Sequence, residues 1–370
     1  MAAAAPHNPP FRADHVGSLL RPPELVAARV QFARGDLAAE ELRRIEDASI
    51  RAVVARQESI GLRSITDGEL RRDYWHLDFL RQLDGVSLSA MPNQSRFGGS
   101  EEQPPIATVS GRIGCSRPIM TGAFGFLKAI ATQTAKLTVP SPSMLYLRGG
   151  RAAVSRETYP DIEEFWSDVA GAYRQAIRYL ADCGCTYLQF DDVSFAYLCD
   201  EKFREGCRRN GDDPGLLPST FATAINRALS DRPTGMAVTM HTCRGNFRSS
   251  WVAEGGYESV AQAMFSTDVD GFFMEFDSAR AGSFEPLRHL PPGKQVVLGL
   301  VTTKVGTLER DEDIKRRIDE AAAYVPHERL CLSPQCGFSS THHGNALSED
   351  EQWRKLELVV RVARDVWGES

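Results

Sequence analysis

Met236-Ala237-Val238-Thr239-Met240-His241-Thr242-Cys243 reads as an extended, mostly apolar segment that finishes on two metal-ligating residue types. Side chains i and i+2 of a strand share a face, so His241 and Cys243 can reach one ion. Imidazole and thiolate in that arrangement are half of a soft N/S ligand set suited to zinc. Two more apolar runs end the same way. Phe273-Met274-Glu275-Phe276-Asp277 places a carboxylate at its end, and Leu330-Cys331-Leu332-Ser333-Pro334-Gln335-Cys336-Gly337 places a second thiol.

Outward from this stretch, eight segments carry strand character: His15 to Leu20, Ser64 to Gly68, Ala135 to Pro140, Thr186 to Asp191, Met236 to Cys243, Gly271 to Phe276, Gln295 to Thr302 and Arg329 to Ser333. Most are separated by helical periodicity, at Pro23 to Ile60, Ile162 to Asp182, Leu217 to Leu229, Tyr257 to Phe265, Arg310 to Ala323 and Glu349 to Val366. The first of these, interrupted at Gly35-Asp36, reads as two helices. Such alternation predicts an α/β fold, a single (β/α)8 TIM barrel. Gly85 to Thr134 breaks the rhythm and reads as an insertion after the second strand, with a short hairpin near Ala107 to Arg112 and a glycine-broken stretch at Gly122 to Phe126. In a barrel the active residues gather at the carboxyl ends of the strands. Ser18, Glu69, Asp191, His241, Cys243, Glu275, Lys304 and Cys336 all fall there.

Composition narrows the class of function. The chain has 370 residues, of which 42% are hydrophobic, enough for a large core, and no linker divides it. One domain over 11–370 is expected, preceded by a flexible tail at 1–10. A net charge of -6 argues against a nucleic-acid partner. The start lacks a basic, apolar leader and no segment reaches the length of a membrane span, so a cytoplasmic protein without a membrane partner is expected. Eight cysteines in a chain of this size are too sparse for a disulfide scaffold and are expected to be reduced.

The metal reading sets two thiolates, Cys243 and Cys336, at about 2.3 Å and His241 at about 2.0 Å from zinc, with the fourth place left to Glu275 or an incoming ligand. Zinc of this kind keeps a bound thiol deprotonated at neutral pH and so suits sulfur nucleophiles. Other pairs carry less weight. Cys183-Gly184-Cys185 precedes the fourth strand, at the opposite end of a barrel, and Cys331 reads as core. His342-His343 lies in a polar loop and reads as solvated, and Glu69 has Arg71 and Arg72 nearby as ordinary partners.

His15-Val16-Gly17-Ser18, Asp67-Gly68-Glu69, Pro140-Ser141-Pro142-Ser143-Met144-Leu145, Gln189-Phe190-Asp191-Asp192, Met240-His241-Thr242-Cys243, Met274-Glu275 and Ser333-Pro334-Gln335-Cys336-Gly337 occur in that order. Together they resemble the catalytic domain of the cobalamin-independent methionine synthase family, from about Arg12 to the C-terminus. Epoxyalkane:coenzyme M transferases share the plan. The resemblance implies a zinc-dependent methyltransferase acting on homocysteine or a similar thiol, with His241, Cys243, Glu275 and Cys336 as zinc ligands. It implies Asp191 and Glu69 as partners of the substrate amine and Ser18 in the loop that receives its carboxylate. His15 belongs to that same loop and joins the substrate-binding set. After the seventh strand the family's folate-using members carry Asp-x-His, where this chain has Thr302 and Lys304. Lys304 is accordingly expected to act as an acid or to pair with an anionic donor. The alkyl donor is left open between folate, a corrinoid, an S-methyl compound and an epoxide, the last being the alternative of an epoxide-opening transferase. A metal-free decarboxylase-like barrel is the rival from another class. The expected partners are a small thiol and its alkyl donor, with a homo-oligomer possible.

Overall fold

The structure, a computed structural model, describes residues 9–89 and 105–369, so residues 1–8 of the expected tail lie outside the described residues. Among the described residues nine strands form in chain order: β1 (Ser64–Ile65), β2 (Asp84–Ser89), β3 (Ile106–Gly114), β4 (Thr134–Pro140), β5 (Tyr187–Asp192), β6 (Ala237–Thr242), β7 (Gly271–Glu275), β8 (Gln295–Val301) and β9 (Leu330–Pro334). Seven of them make one parallel sheet in the order β1-β4-β5-β6-β7-β8-β9. All seven overlap segments expected from the sequence, because strands buried on both faces read as largely apolar runs.

Helices cover the outer face. Ile162–Asp182 starts where the Asp161 carboxylate accepts a hydrogen bond from Glu163 N, and Glu163 and Glu164 suit the positive end of its dipole. It buries Phe165, Trp166, Val169, Tyr173, Ala176, Ile177 and Leu180, a helical stripe pressed on the sheet. The closing helix, Glu349–Trp367, begins with a reciprocal Ser348/Glu351 capping box. Residues 23–60 form two helices, as expected, because Gly35 adopts φ 81° and ends the first. Tyr257 to Phe265 is shorter than expected, a 3-10 turn at Tyr257–Ser259 followed by the helix Ala261–Phe265. None of the helices among the described residues is long and apolar enough to cross a membrane.

Three expectations are corrected here. His15 to Leu20 is not a strand: only Ala13 forms a bridge, with Leu332 of β9. Beyond it the carbonyls of His15 and Val16 accept from the side chains of Lys136 and Gln189 instead of from a neighbouring backbone. Gly17, at φ 142°, then turns the chain. The hairpin near Ala107 is also different, since β3 pairs antiparallel with β2 rather than folding on itself. The link between them falls outside the described residues. Gly122 to Phe126 lies in an unbroken helix, Thr121–Ile130, where a β-carbon at Gly122 or Gly125 would touch nothing.

Alternation along the strands sorts side chains by face. Val16, Phe273, Val297 and Cys331 form a small apolar cluster of their own, apart from the main core between sheet and helices. Beside it Lys136 is buried in an ion pair with Asp14 at 3.1 Å, to which Ser64 and Tyr187 also donate hydrogen bonds. Lys136 also sits 4.2 Å from the Phe273 ring centroid.

Candidate metal centre

His241 stands on β6, Cys243 one residue past its end, Glu275 on the last position of β7, and Cys336 two residues past β9. All four are buried, and their ligand atoms lie within 4.8 Å of one another. The two sulfurs are 3.5 Å apart, close to the separation of two thiolates on one tetrahedral zinc. Neither ring nitrogen of His241 has a hydrogen-bond partner among the described residues, although the ring is 2% exposed. Buried imidazoles without partners are rare and invite a ligand. Donor set, spacing and orphaned nitrogens therefore fit a divalent ion of the zinc type.

The surroundings hold these groups in place. Glu275 accepts from Arg244 N at 3.1 Å through one oxygen and from Arg280 at 3.2 Å through the other. Asn246 Nδ2 reaches Cys336 Sγ at 3.6 Å and the Gly337 carbonyl at 2.8 Å. A β-carbon at Gly337 would fall on Ser18 Oγ, so a side chain there would displace the Ser18 hydroxyl. The hydrogen bond donated by Cys243, helped by His241 and Lys304, holds the Cys336 thiol well below its usual range despite burial, while Cys243 moves up. Burial alone would lower His241, yet the adjoining Cys336, with Asp191 and Glu275, lifts it to about 9.

A cavity opens on this cluster and is also lined by Ser18, Glu69 and Asp191. Asp191 faces it because Tyr187, Gln189 and Asp191 share one face of β5; Gln189 donates to its carboxylate at 2.7 Å. Asp192 points the other way and is consumed by Ser141, Ser143, Ser194 and the Phe195 amide. Glu69, in a left-handed conformation at φ 59°, receives Thr138 Oγ1 at 2.8 Å on one oxygen, with Arg72 at 3.7 Å. Its other oxygen is buried with no partner among the described residues. Burial, and then Glu69, push Asp191 up to about 7, and burial likewise raises Glu69. Two buried carboxylates facing one cavity create a place for a cation.

The other two expected residues are placed elsewhere. His15 Nε2 meets the Ser64 carbonyl at 3.1 Å, and the residue is absent from the cavity wall. Lys304 is buried against Asn246 Oδ1 at 3.5 Å and the Ser250 carbonyl at 3.4 Å, so it stands behind Asn246 rather than in the cavity. Arg244 is fully buried with its guanidinium 4.4 Å from the Tyr257 ring centroid. Sequence reasoning missed Asn246 and His76, which both line the cavity. Asn246 lies three residues past Cys243, and proximity to that ligand was the available signal.

Fold and site together define a parallel-sheet α/β protein with a thiolate-rich, metal-competent cluster at the carboxyl ends of its strands. Within that class the chain belongs to the cobalamin-independent synthase catalytic-domain family, whose model matches residues 11–365. It is 47% identical over 361 residues to the uncharacterized protein YxjH of Bacillus subtilis, covering 97% of this chain and 95% of that one. A solved structure from Listeria monocytogenes, provisionally assigned as a vitamin-B12-independent methionine synthase, is 39% identical with a TM-score of 0.79, covering 97% of this chain and 99% of that chain. The 5-methyltetrahydropteroyltriglutamate–homocysteine methyltransferase of Acidithiobacillus ferrooxidans is 21% identical over 358 residues, 97% of this chain but 42% of that longer protein.

Proposed function

We propose that this protein transfers a methyl group to the thiol of homocysteine, with zinc held by His241, Cys243, Glu275 and Cys336. The observation that carries the reading is the convergence of those four buried ligand atoms within 4.8 Å, in a chain whose family and curated relatives include homocysteine methyltransferases. When bound there, zinc supplies the Lewis acidity that keeps a substrate thiol in its nucleophilic thiolate form at neutral pH.

The chain's own residues bind and orient. Asp191 and the unpartnered oxygen of Glu69 accept the substrate ammonium, which relieves the repulsion between two buried carboxylates. Ser18, whose hydroxyl accepts from Ser339 N at 3.3 Å, is free to donate its own proton to the substrate carboxylate. Fixing amine and carboxylate leaves the sulfur aimed at the cluster, so most of the orientational entropy is lost before reaction. Arg280 and the Arg244 amide keep Glu275 in one position throughout. Lys304 acts through Asn246, steadying the amide that touches Cys336.

The same reading takes residues 11–370 as one domain and the sheet as part of a (β/α)8 barrel closed by residues 12–18. Its support is that this segment bridges β9 at Ala13 while Asp14 and His15 bond Ser64 of β1, and that Val16 packs with Phe273, Val297 and Cys331. Gly85 to Thr134 is then the insertion, and its strand β3 lies against the helix Ile162–Asp182 through Arg112 to Glu164 and Asp168. The epoxide-opening alternative gains no support from the relatives found.

The test is elemental analysis with a methyl-transfer assay. The purified chain should carry about one zinc per molecule and form methionine from homocysteine with a methyl donor. Cys336→Ala should lose both properties. A fully active, metal-free protein would sink the proposal.

A further inference from the structure

His76 has no place in the reading so far, yet it lines the same cavity as Glu69, Asp191, His241 and Cys336. Its side chain is 3% exposed, and both ring nitrogens lack a hydrogen-bond partner among the described residues. The ring is not adrift. It packs against Trp75, centroid to centroid 4.6 Å with the planes tilted by 40°, and Trp75 is pinned by its amide to the Ser340 carbonyl at 3.1 Å. The His76 carbonyl accepts from the amides of Phe79 and Leu80, which fixes the backbone at the start of the helix Leu77–Leu80. A rigid, buried imidazole with both nitrogens unused and a cavity in front of it is built to meet a ligand.

The chemistry of that ligand follows from the neighbours. Burial, and then the Arg148 guanidinium, hold His76 well below its usual value, so the ring is neutral and stands in a positive field. Arg148 lines the cavity too. A neutral N–H beside a cation favours an anionic acceptor and disfavours an ammonium. Glu69 and Asp191 provide the complementary negative wall. An α-amino acid bears its carboxylate on the carbon that bears its amine, so a substrate whose amine meets one wall presents its carboxylate within reach of the other.

We propose that His76 is a substrate-binding residue that donates a hydrogen bond to the carboxylate of the thiol amino acid, sharing that group with Ser18, and so selects amino acids over simple amine thiols. This rests on the methyl-transfer reading above for the identity of the thiol. The neighbouring Arg148 adds charge to the subsite, and Trp75 packs against the imidazole.

The test is calorimetric titration of the zinc-loaded, full-length protein with homocysteine and with its decarboxylated analogue, mercaptopropylamine, without any methyl donor. Wild type should prefer homocysteine by about 10-fold or more. His76→Phe should weaken homocysteine by a similar factor and leave mercaptopropylamine within about 2-fold, whereas His76→Gln, which restores an N–H donor, should recover most of the loss. Zinc content and thermal midpoint of the variants should match wild type. Equal losses for both ligands, or none for either, would overturn the assignment. If His76→Phe does not fold, the wild-type preference and His76→Gln still decide: absence of a preference ends the proposal. Wild type that binds neither thiol would instead bring down the methyl-transfer reading, and this proposal with it.

Discussion

Asp191 turns into the cavity and Asp192 away from it, because consecutive residues of β5 face opposite sides of the sheet. The two acids therefore predict different losses. Asp191→Asn removes a charge whose bond partner is Gln189 and whose open side is the cavity. It should leave the fold intact and raise the KM for homocysteine about 10- to 100-fold, the worth of one charge-assisted hydrogen bond. Asp192→Asn weakens bonds from Ser141, Ser143, Ser194 and the Phe195 amide, all buried. It should cost roughly 2–4 kcal/mol of stability, read from the denaturation midpoint, with KM little changed. Reversed results for the pair would mean that the faces of β5 are misassigned.

The elements differ in how plainly the sequence announced them. β4 to β9 were legible because a parallel strand covered on both faces is an unbroken apolar run, and His241, Cys243, Glu275 and Cys336 were legible because they end such runs. The segment Phe11 to Ser18 was not, since its carbonyls are bonded by Lys136 and Gln189, side chains more than a hundred residues away, and no local pattern encodes that. His76 was hidden for a related reason: its meaning lies in a shared cavity, not in spacing. The first segment also makes a pH prediction. Burial, and then Lys136, lower His15 from 6.5 to about 4. Above pH 6.5 both the folded and unfolded chains carry neutral His15, and stability is unaffected. Between pH 6.5 and 4 the unfolded chain takes up a proton that the folded one refuses, so stability falls as pH drops, by on the order of 3 kcal/mol at the bottom of that window. His76 is also lowered and adds a loss of the same sign. Only the difference between wild type and His15→Gln therefore isolates this group. The variant keeps an amide donor for the Ser64 carbonyl and should show a flatter denaturation midpoint between pH 6.5 and 4; superimposable profiles would remove His15 from the account.

Across the whole molecule the four candidate ligands come from β6 and the residue after it, from β7 and from the segment after β9. An ion bound by all four joins segments far apart in sequence and stabilises the folded chain by mass action, about 4 kcal/mol when zinc exceeds its dissociation constant a thousandfold. For a chain of this size that corresponds to a rise in thermal midpoint of about 5 °C. Chelation should lower the midpoint of the zinc-loaded protein by that amount, compared at one scan rate because a chain of this length can unfold irreversibly. Two cysteine variants make the comparison specific. Cys331 lies five residues before Cys336 but packs with Val16, Phe273 and Val297, so Cys331→Ala should lower the midpoint by loss of packing and still respond fully to the chelator. Cys336→Ala should begin near the chelated wild-type value and show no further response. If chelation shifts wild type and Cys336→Ala alike, the ion is stabilising the protein from some other place, and the buried His/Cys/Glu/Cys cluster is not its site.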